Sequence, residues 1–211
     1  MKYYPAFLDL KNKKAVVVGG GSVAERKVRL LVDAGASVTL ISPDITANLR
    51  KLASKGALHY VERNYRKGDV EGAFIVIAGT SSAALNSKIA CAAKNLVNVI
   101  DTPSDGNFIV PSVVRRGALN IAISTEGASP AVSKAIRKEL EGYYSREFAR
   151  YLRFTEMIRL KTIKEIKNEK KRKHFLTSLA SKQLLNTLRK EGFDTVREHI
   201  LNALEKIQQT N

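Results

Sequence analysis

The stretch Ala15–Ala24, AVVVGGGSVA, decides the fold. Ala15–Val18 is a short, largely β-branched run without polar alternation, which is the pattern of a strand buried on both faces of a parallel sheet. It stops at Gly19-Gly20-Gly21, and Ser22–Ala34 then places Val23, Val28, Leu31 and Val32 on a helical stripe. A strand, a glycine turn and a helix in this order match G-x-G-x-x-A. Gly19 permits the tight turn, Gly21 lets the backbone approach a pyrophosphate, and Ala24 lets the helix pack close to the sheet. The helix N-terminus adds amide donors and a partial positive charge. A glycine turn without a ligand is the plainer reading. The position between a clear strand and a clear helix favours a dinucleotide site.

Working outward, Ser37–Ile41 reads as a second strand, Thr46–Lys55 as a helix and Leu58–Val61 as a weaker strand. Ala73–Ala78 is a strong strand that ends at Gly79-Thr80-Ser81-Ser82, and Thr80 in that turn joins the candidate cofactor contacts. Ala83–Lys94 reads as helix and Val97–Ile100 as strand. The repeating βα pattern predicts an α/β fold with a parallel, doubly wound sheet. Phe108–Val110, a strand at Leu119–Ser124 and a helix from Pro130 to about Glu141 follow, with Ser129 as N-cap and Pro130 in the first turn. All five prolines lie before residue 140, and after it only Gly142 and Gly192 interrupt the chain. The remainder therefore reads as all-helical, with Val196, Ile200, Leu201, Leu204 and Ile207 on one packing face.

The chain has 211 residues, with 36 Lys and Arg against 20 Asp and Glu, a formal net charge of +16. That excess attracts polyanions: nucleic acid, an anionic membrane or an acidic small molecule. It is shared along the chain, for the residues from Glu141 onward carry 16 basic and 9 acidic side chains. No apolar segment follows the basic residue at the N-terminus, and Ala73–Ala78 is far too short to span a bilayer, so no secretory signal and no membrane span are expected. The single cysteine, Cys91, excludes an internal disulfide and a Cys-based zinc site, and points to a reducing, cytoplasmic setting. Cys91 reads as a small buried side chain among alanines. His59, His174 and His199 are scattered and form no metal-binding pair, so no resident metal is expected.

Three further positions carry candidate chemistry. Asp44, in Ser42-Pro43-Asp44 after the second strand, reads either as a contact to the 2′-hydroxyl of NAD or as the N-cap of the next helix. No arginine follows directly, Arg50 lying a helical turn further on, so the balance favours NAD over NADP. Asp101 stands at the C-terminal end of a parallel strand, where open α/β sheets bind ligands. It reads either as a general base or as a turn cap before Pro103. The hydroxyls and amides of Ser124–Pro130 read as a carboxylate cradle or as plain helix capping, and capping is the stronger reading from the residues alone.

Taken together these residues resemble the siroheme-synthesis precorrin-2 dehydrogenases, including the bifunctional dehydrogenase/sirohydrochlorin ferrochelatases. The resemblance runs through Tyr4–Leu10, Val16–Lys27, Gly35-Ala36, Val99–Asp101, Gly106–Ser112, Arg116-Gly117, Ile123–Pro130 and Ile136-Arg137. It implies a Rossmann-like NAD-binding domain over 1–112, a dimerisation segment over 113–145 and a helical C-terminal domain over 146–211, assembled as a homodimer. It implies NAD-dependent oxidation of precorrin-2 to sirohydrochlorin, with Fe²⁺ insertion in some members. It places the cofactor on Ser22, Val23, Pro43 and Asp44 beside Gly19, Gly21, Ala24 and Thr80. Asp101 takes the catalytic position, and Ser124 and Thr125 the substrate. Other members have serine at the position of Thr125 and glycine at that of Glu126. The tetrapyrroles are themselves compact polyanions, which gives the net charge a specific partner.

Two other classes compete. A regulatory module that senses NAD would signal through the helical tail, but Asp101 and the Ser124–Pro130 motif would serve nothing in it. Nucleic-acid binding would explain the charge, yet no recognition motif or aromatic stacking pattern accompanies it.

Overall fold

The computed structural model describes residues 3–209, and the chain divides between Val110 and Pro111 into two compact units. The first is a five-stranded parallel sheet in the order β3-β2-β1-β4-β5. Its strands are β1 (Lys14–Val18), β2 (Ser37–Ile41), β3 (His59–Val61), β4 (Ile75–Ala78) and β5 (Leu96–Val99), connected in part by α1 (Ser22–Asp33), α2 (Ala47–Ser54) and α3 (Ala83–Ala92). The order reverses between β1 and β4, and such a switch point opens a crevice beyond the carboxyl ends of the strands. Val18 pairs with both Ile41 and Ala78, so the three central strands end level at that crevice.

The run Ala15–Val18 lacks alternation because both of its faces are covered. Ala15 and Val17 join one core with Val28 and Leu31 of α1 and Leu49 of α2, while Val16 and Val18 join the other with Ile89 of α3. Each fully buried valine contributes about 2 kcal/mol of hydrophobic stabilisation.

Phe108–Val110 is not a strand. Asparagine side chains hold this segment beside β5 in place of a ladder. The Asn107 amide donates to the Val97 carbonyl at 3.0 Å, and Asn107 Oδ1 accepts from the Val97 amide at 2.8 Å. Asn107 Nδ2 donates to the Asn95 carbonyl, and Asn98 Nδ2 to that of Phe108. The chain approaches so closely that a β-carbon on Gly106 would lie 2.7 Å from the Val97 oxygen. Cys91 is exposed rather than buried. It sits on α3, which buries Asn86 and Ile89 instead, and the alanines around it give no apolar stripe from which a face can be read.

The second unit begins with an antiparallel hairpin of β6 (Ser112–Arg116) and β7 (Leu119–Ile123), followed by α4 (Pro130–Tyr143). Ser129 caps α4 by accepting from the Val132 amide. The Arg116 guanidinium closes its far end, donating to the carbonyls of Tyr144 at 2.7 Å and Glu141 at 3.1 Å. The tail forms four helices, α5 (Glu147–Glu165), α6 (Glu169–Ser178), α7 (Lys182–Glu191) and α8 (Phe193–Gln209). Asn168 and Ser181 cap α6 and α7, and Gly192, at φ +90°, ends α7. Phe148, Tyr151, Phe154 and Ile158 of α5 pack against Phe175, Leu188, Val196, Ile200 and Leu204, so the stripe read on the last helix is a core face. No helix among the described residues is long and apolar enough to cross a membrane.

Two features of this framework have measurable consequences. Arg63 grips Asp69 through two guanidinium bonds of 2.8 Å, and the Arg66 amide adds a third of 2.7 Å, which pins the long connection between β3 and β4. The bond from Arg63 holds the Asp69 carboxyl below its ordinary range despite the opposing effect of burial. A depressed native pKa means the unfolded chain binds more protons, so this stabilisation is complete above the unfolded carboxyl pKa and is lost as pH falls through the native one. In urea unfolding, Asp69→Asn is expected to cost about 1 kcal/mol at neutral pH, with the gap from wild type closing below about pH 4. Parallel curves would count against the assignment. Glu126 adopts φ +53°, the left-handed region, so Glu126→Gly should raise stability by about 0.5–1 kcal/mol in thermal unfolding.

Candidate functional site

The carboxyl edge of the sheet is assembled from turns that touch through missing side chains. A β-carbon on Gly19, at φ +109°, would lie 2.2 Å from the Gly79 carbonyl oxygen, and one on Gly20 would lie 2.2 Å from that of Asp44. At Gly21 nothing stands within 4 Å. The first two glycines therefore bring the turns after β1, β2 and β4 together, and the third presents open backbone. Gly21 is also the N-cap of α1 and offers no side-chain cap, so the amides of the first turn at Ser22 and Val23 lack one. Such a helix end favours an anion. Ala24, 1% exposed, seats α1 against the sheet. These donors and this open backbone fit the pyrophosphate of a dinucleotide.

After β2, Ser42 Oγ donates to the Asp44 carbonyl at 2.6 Å, and the Tyr60 hydroxyl donates to the carbonyls of Ser42 at 3.1 Å and Pro43 at 3.3 Å. Thr46, not Asp44, caps α2, its Oγ1 accepting from the Leu49 amide. The Asp44 side chain is thus relieved of the capping role and stands exposed with Pro43. After β4, Thr80 is locked by Asn86 of α3. Its amide and hydroxyl both donate to Asn86 Oδ1, at 3.0 and 2.8 Å, and Asn86 Nδ2 donates back to the Thr80 carbonyl. Burial, assisted by Arg26, pulls the half-buried ammonium of Lys27 on α1 down to about 8.

After β5, the Ile100 amide extends the ladder to the Ala78 carbonyl, and its side chain lies where Gly79 has none. Asp101 follows directly and is exposed. It does not cap the short helical turn at Pro103–Asp105, which has Thr102 at its N-cap position without a side-chain bond. Gly19–Ala24, Pro43-Asp44, Gly79-Thr80 and Asp101 therefore all follow strand ends on one edge of the first unit.

Ser124 and Thr125 belong to the second unit. Ser124 Oγ accepts from the Glu126 amide, while Thr125 Oγ1 donates to the Ser129 carbonyl, accepts from its amide and shares a bond with Ser133 Oγ. These hydroxyls shape the loop that precedes α4. The backbone is left-handed at Glu126 and at Gly127, φ +93°, a conformation that favours glycine. Sequence reading passed over Glu25, Tyr60 and Asn86, the side chains that hold the turns. Asn86 had only its polarity within an alanine-rich helix as a signal.

Comparison with known proteins agrees with this geometry. Residues 6–112 match an NAD(P)-binding family model and residues 116–143 the model described as "Sirohaem biosynthesis protein central". The chain is 33% identical over 191 residues to the "Precorrin-2 dehydrogenase" of Priestia megaterium, covering 89% of this chain and 94% of that relative. It is 33% identical over 208 residues to the "Siroheme synthase" of Thioalkalivibrio sulfidiphilus, covering 97% of this chain but 42% of the synthase. The solved structure of "SirC, precorrin-2 dehydrogenase" superposes with a TM-score of 0.81 at 29% identity, covering 97% of this chain and all of that one. The first unit accordingly binds a nicotinamide dinucleotide, and the chain belongs to the precorrin-2 dehydrogenase family, which it shares with the matching part of the siroheme synthases.

Proposed function

We propose that the protein oxidises precorrin-2 to sirohydrochlorin with NAD in siroheme biosynthesis. The observation that carries the reading is Asp101, an exposed carboxylate without a capping role on the same sheet edge as the open glycine turn. Gly21, Ser22 and Val23 hold the pyrophosphate, on a turn that Gly19 and Ala24 allow to pack closely, Thr80 supports the adjoining turn, and Pro43 and Asp44 face the adenosine ribose. A dinucleotide held there would supply the hydride acceptor for the oxidation. Asp101 receives the proton released in the same oxidation and passes it to solvent, for which its exposure suits it. Metal insertion removes pyrrole N–H protons, so the same carboxylate serves Fe²⁺ chelation if that substrate is taken.

The Ser124–Pro130 loop offers backbone amides and the Ser124 hydroxyl to a substrate carboxylate, and Thr125 shapes it through Ser129 and Ser133. The net charge of +16 steers the acidic tetrapyrrole and favours charge-assisted hydrogen bonds to it. Residues 113–145 supply the pairing surface of a homodimer, where α4 exposes Val132, Ile136 and Tyr143. A reducing cytoplasm suits the single exposed thiol, Cys91.

Anaerobic turnover of precorrin-2 with NAD, followed by absorbance, tests the reading directly. Asp101→Asn should bind NAD as wild type does while turnover falls by about 10²–10⁴. Full turnover in that variant would remove Asp101 from the chemistry. Asp44 repels a 2′-phosphate, so Asp44→Ala should bring the NAD-over-NADP preference down by about tenfold or more, measured as the ratio of kcat/KM values. An unchanged ratio would assign the choice of cofactor elsewhere.

A further inference from the structure

We infer that Glu25 is the positioning residue for the ribose end of the cofactor site, because its carboxylate ties α1 to the loop that carries Pro43 and Asp44. The inference rests on the reading of that loop as the ribose contact. Glu25 lies in the first turn of α1, two residues beyond the open amides of Ser22 and Val23, and both of its oxygens accept bonds from outside the helix. Oε2 accepts from Thr46 Oγ1 at 2.6 Å, and Oε1 accepts from Asn48 Nδ2 at 3.1 Å. Oε1 also accepts from Arg29 Nε at 3.1 Å and from a terminal guanidinium nitrogen at 2.8 Å. Arg29 is 51% exposed, but the Glu25 side chain is only 14% exposed, so the acceptor is sheltered where its donors converge.

The second attachment is backbone. The Thr46 amide donates to the Gly20 carbonyl at 3.2 Å, and Asp44 presses its carbonyl into the space that a Gly20 side chain would fill. Tyr60 holds the same loop from β3 through the carbonyls of Ser42 and Pro43. Residues 42–46 are thereby gripped from β3 on one side and from α1 on the other. Pyrophosphate and ribose are recognised by different elements, α1 and the β2 loop, and a dinucleotide satisfies both only if the distance between them is fixed. Glu25 is the side chain that spans that distance. A role in helix stability alone would need no more than the i,i+4 pair with Arg29, which is worth little on an exposed helix face. The bonds to Thr46 and Asn48 leave the helix and would be superfluous.

The test uses the full chain and measures NAD affinity, kcat and KM for NAD with precorrin-2, the NAD-over-NADP ratio and thermal stability. Glu25→Ala should weaken NAD binding and raise its KM about tenfold, as expected for the loss of a charge-assisted hydrogen bond. It should lower the cofactor ratio in step and leave kcat at saturation within about twofold. Thr46→Val should do the same, Thr46→Ser should restore wild-type behaviour, and the double variant Glu25→Ala/Thr46→Val should be no worse than either single one. Glu25→Gln, which retains one acceptor oxygen, serves if Glu25→Ala does not fold. Loss of thermal stability with unchanged NAD affinity and cofactor ratio would make Glu25 merely structural and overturn the inference. If Asp44→Ala shifts the ratio while the Glu25 variants do not, only this inference fails. If Asp44→Ala leaves the ratio unmoved, the ribose reading itself fails.

Discussion

Backbone meeting backbone without a β-carbon between is the constraint on which the carboxyl edge of the sheet depends. Gly19 against the Gly79 carbonyl, Gly20 against that of Asp44, and Gly79 against the Ile100 side chain join the ends of β1, β2, β4 and β5. None of these contacts stores much energy on its own. Their effect is geometric: the turns after four strands are held together along one edge of the sheet. An alanine at Gly19 or Gly20 would force the turns apart by the width of a methyl group, and both contacts would meet backbone, which cannot swing away as a flexible side chain can.

The strands of this sheet were legible because burial on two faces leaves a signature in composition. Ala15–Val18 and Ala73–Ala78 have no polar side chain to misread; the first falls within β1, and β4 takes up the last four residues of the second. The irregular pieces were not legible, because asparagine side chains stand in for ladder bonds there. Phe108–Val110 is apolar but forms no strand: Asn98 and Asn107 satisfy the backbone there, and regular pairing resumes only at Ser112. The same reason hid part of the candidate site. Gly19, Gly21, Asp44 and Asp101 announce themselves by type and spacing. Glu25 and Tyr60 act through contacts to residues distant in sequence, and Asn86 through a turn whose shape a linear pattern does not carry.

Unit two shows the converse. Its loop at Ser124–Pro130 is conspicuous in sequence, but the Thr125 hydroxyl is largely occupied by Ser129 and Ser133. What such a loop can offer a ligand is mainly backbone, shaped by those hydroxyls. Keeping Glu126 in a left-handed conformation costs roughly 1–2 kcal/mol.

The asparagines beside β5 also decide what this sheet cannot do. Asn107 takes up both the amide and the carbonyl of Val97 and reaches the carbonyl of Asn95, so one border of the sheet has little left to offer another strand. The opposite border, β3, is three residues long and starts at an exposed histidine, His59. A parallel sheet with open, extended borders is a template for unwanted pairing between chains. Here one border is plugged by side chains and the other is cut short. Neither border of the sheet therefore presents a long open row of backbone groups to an added strand.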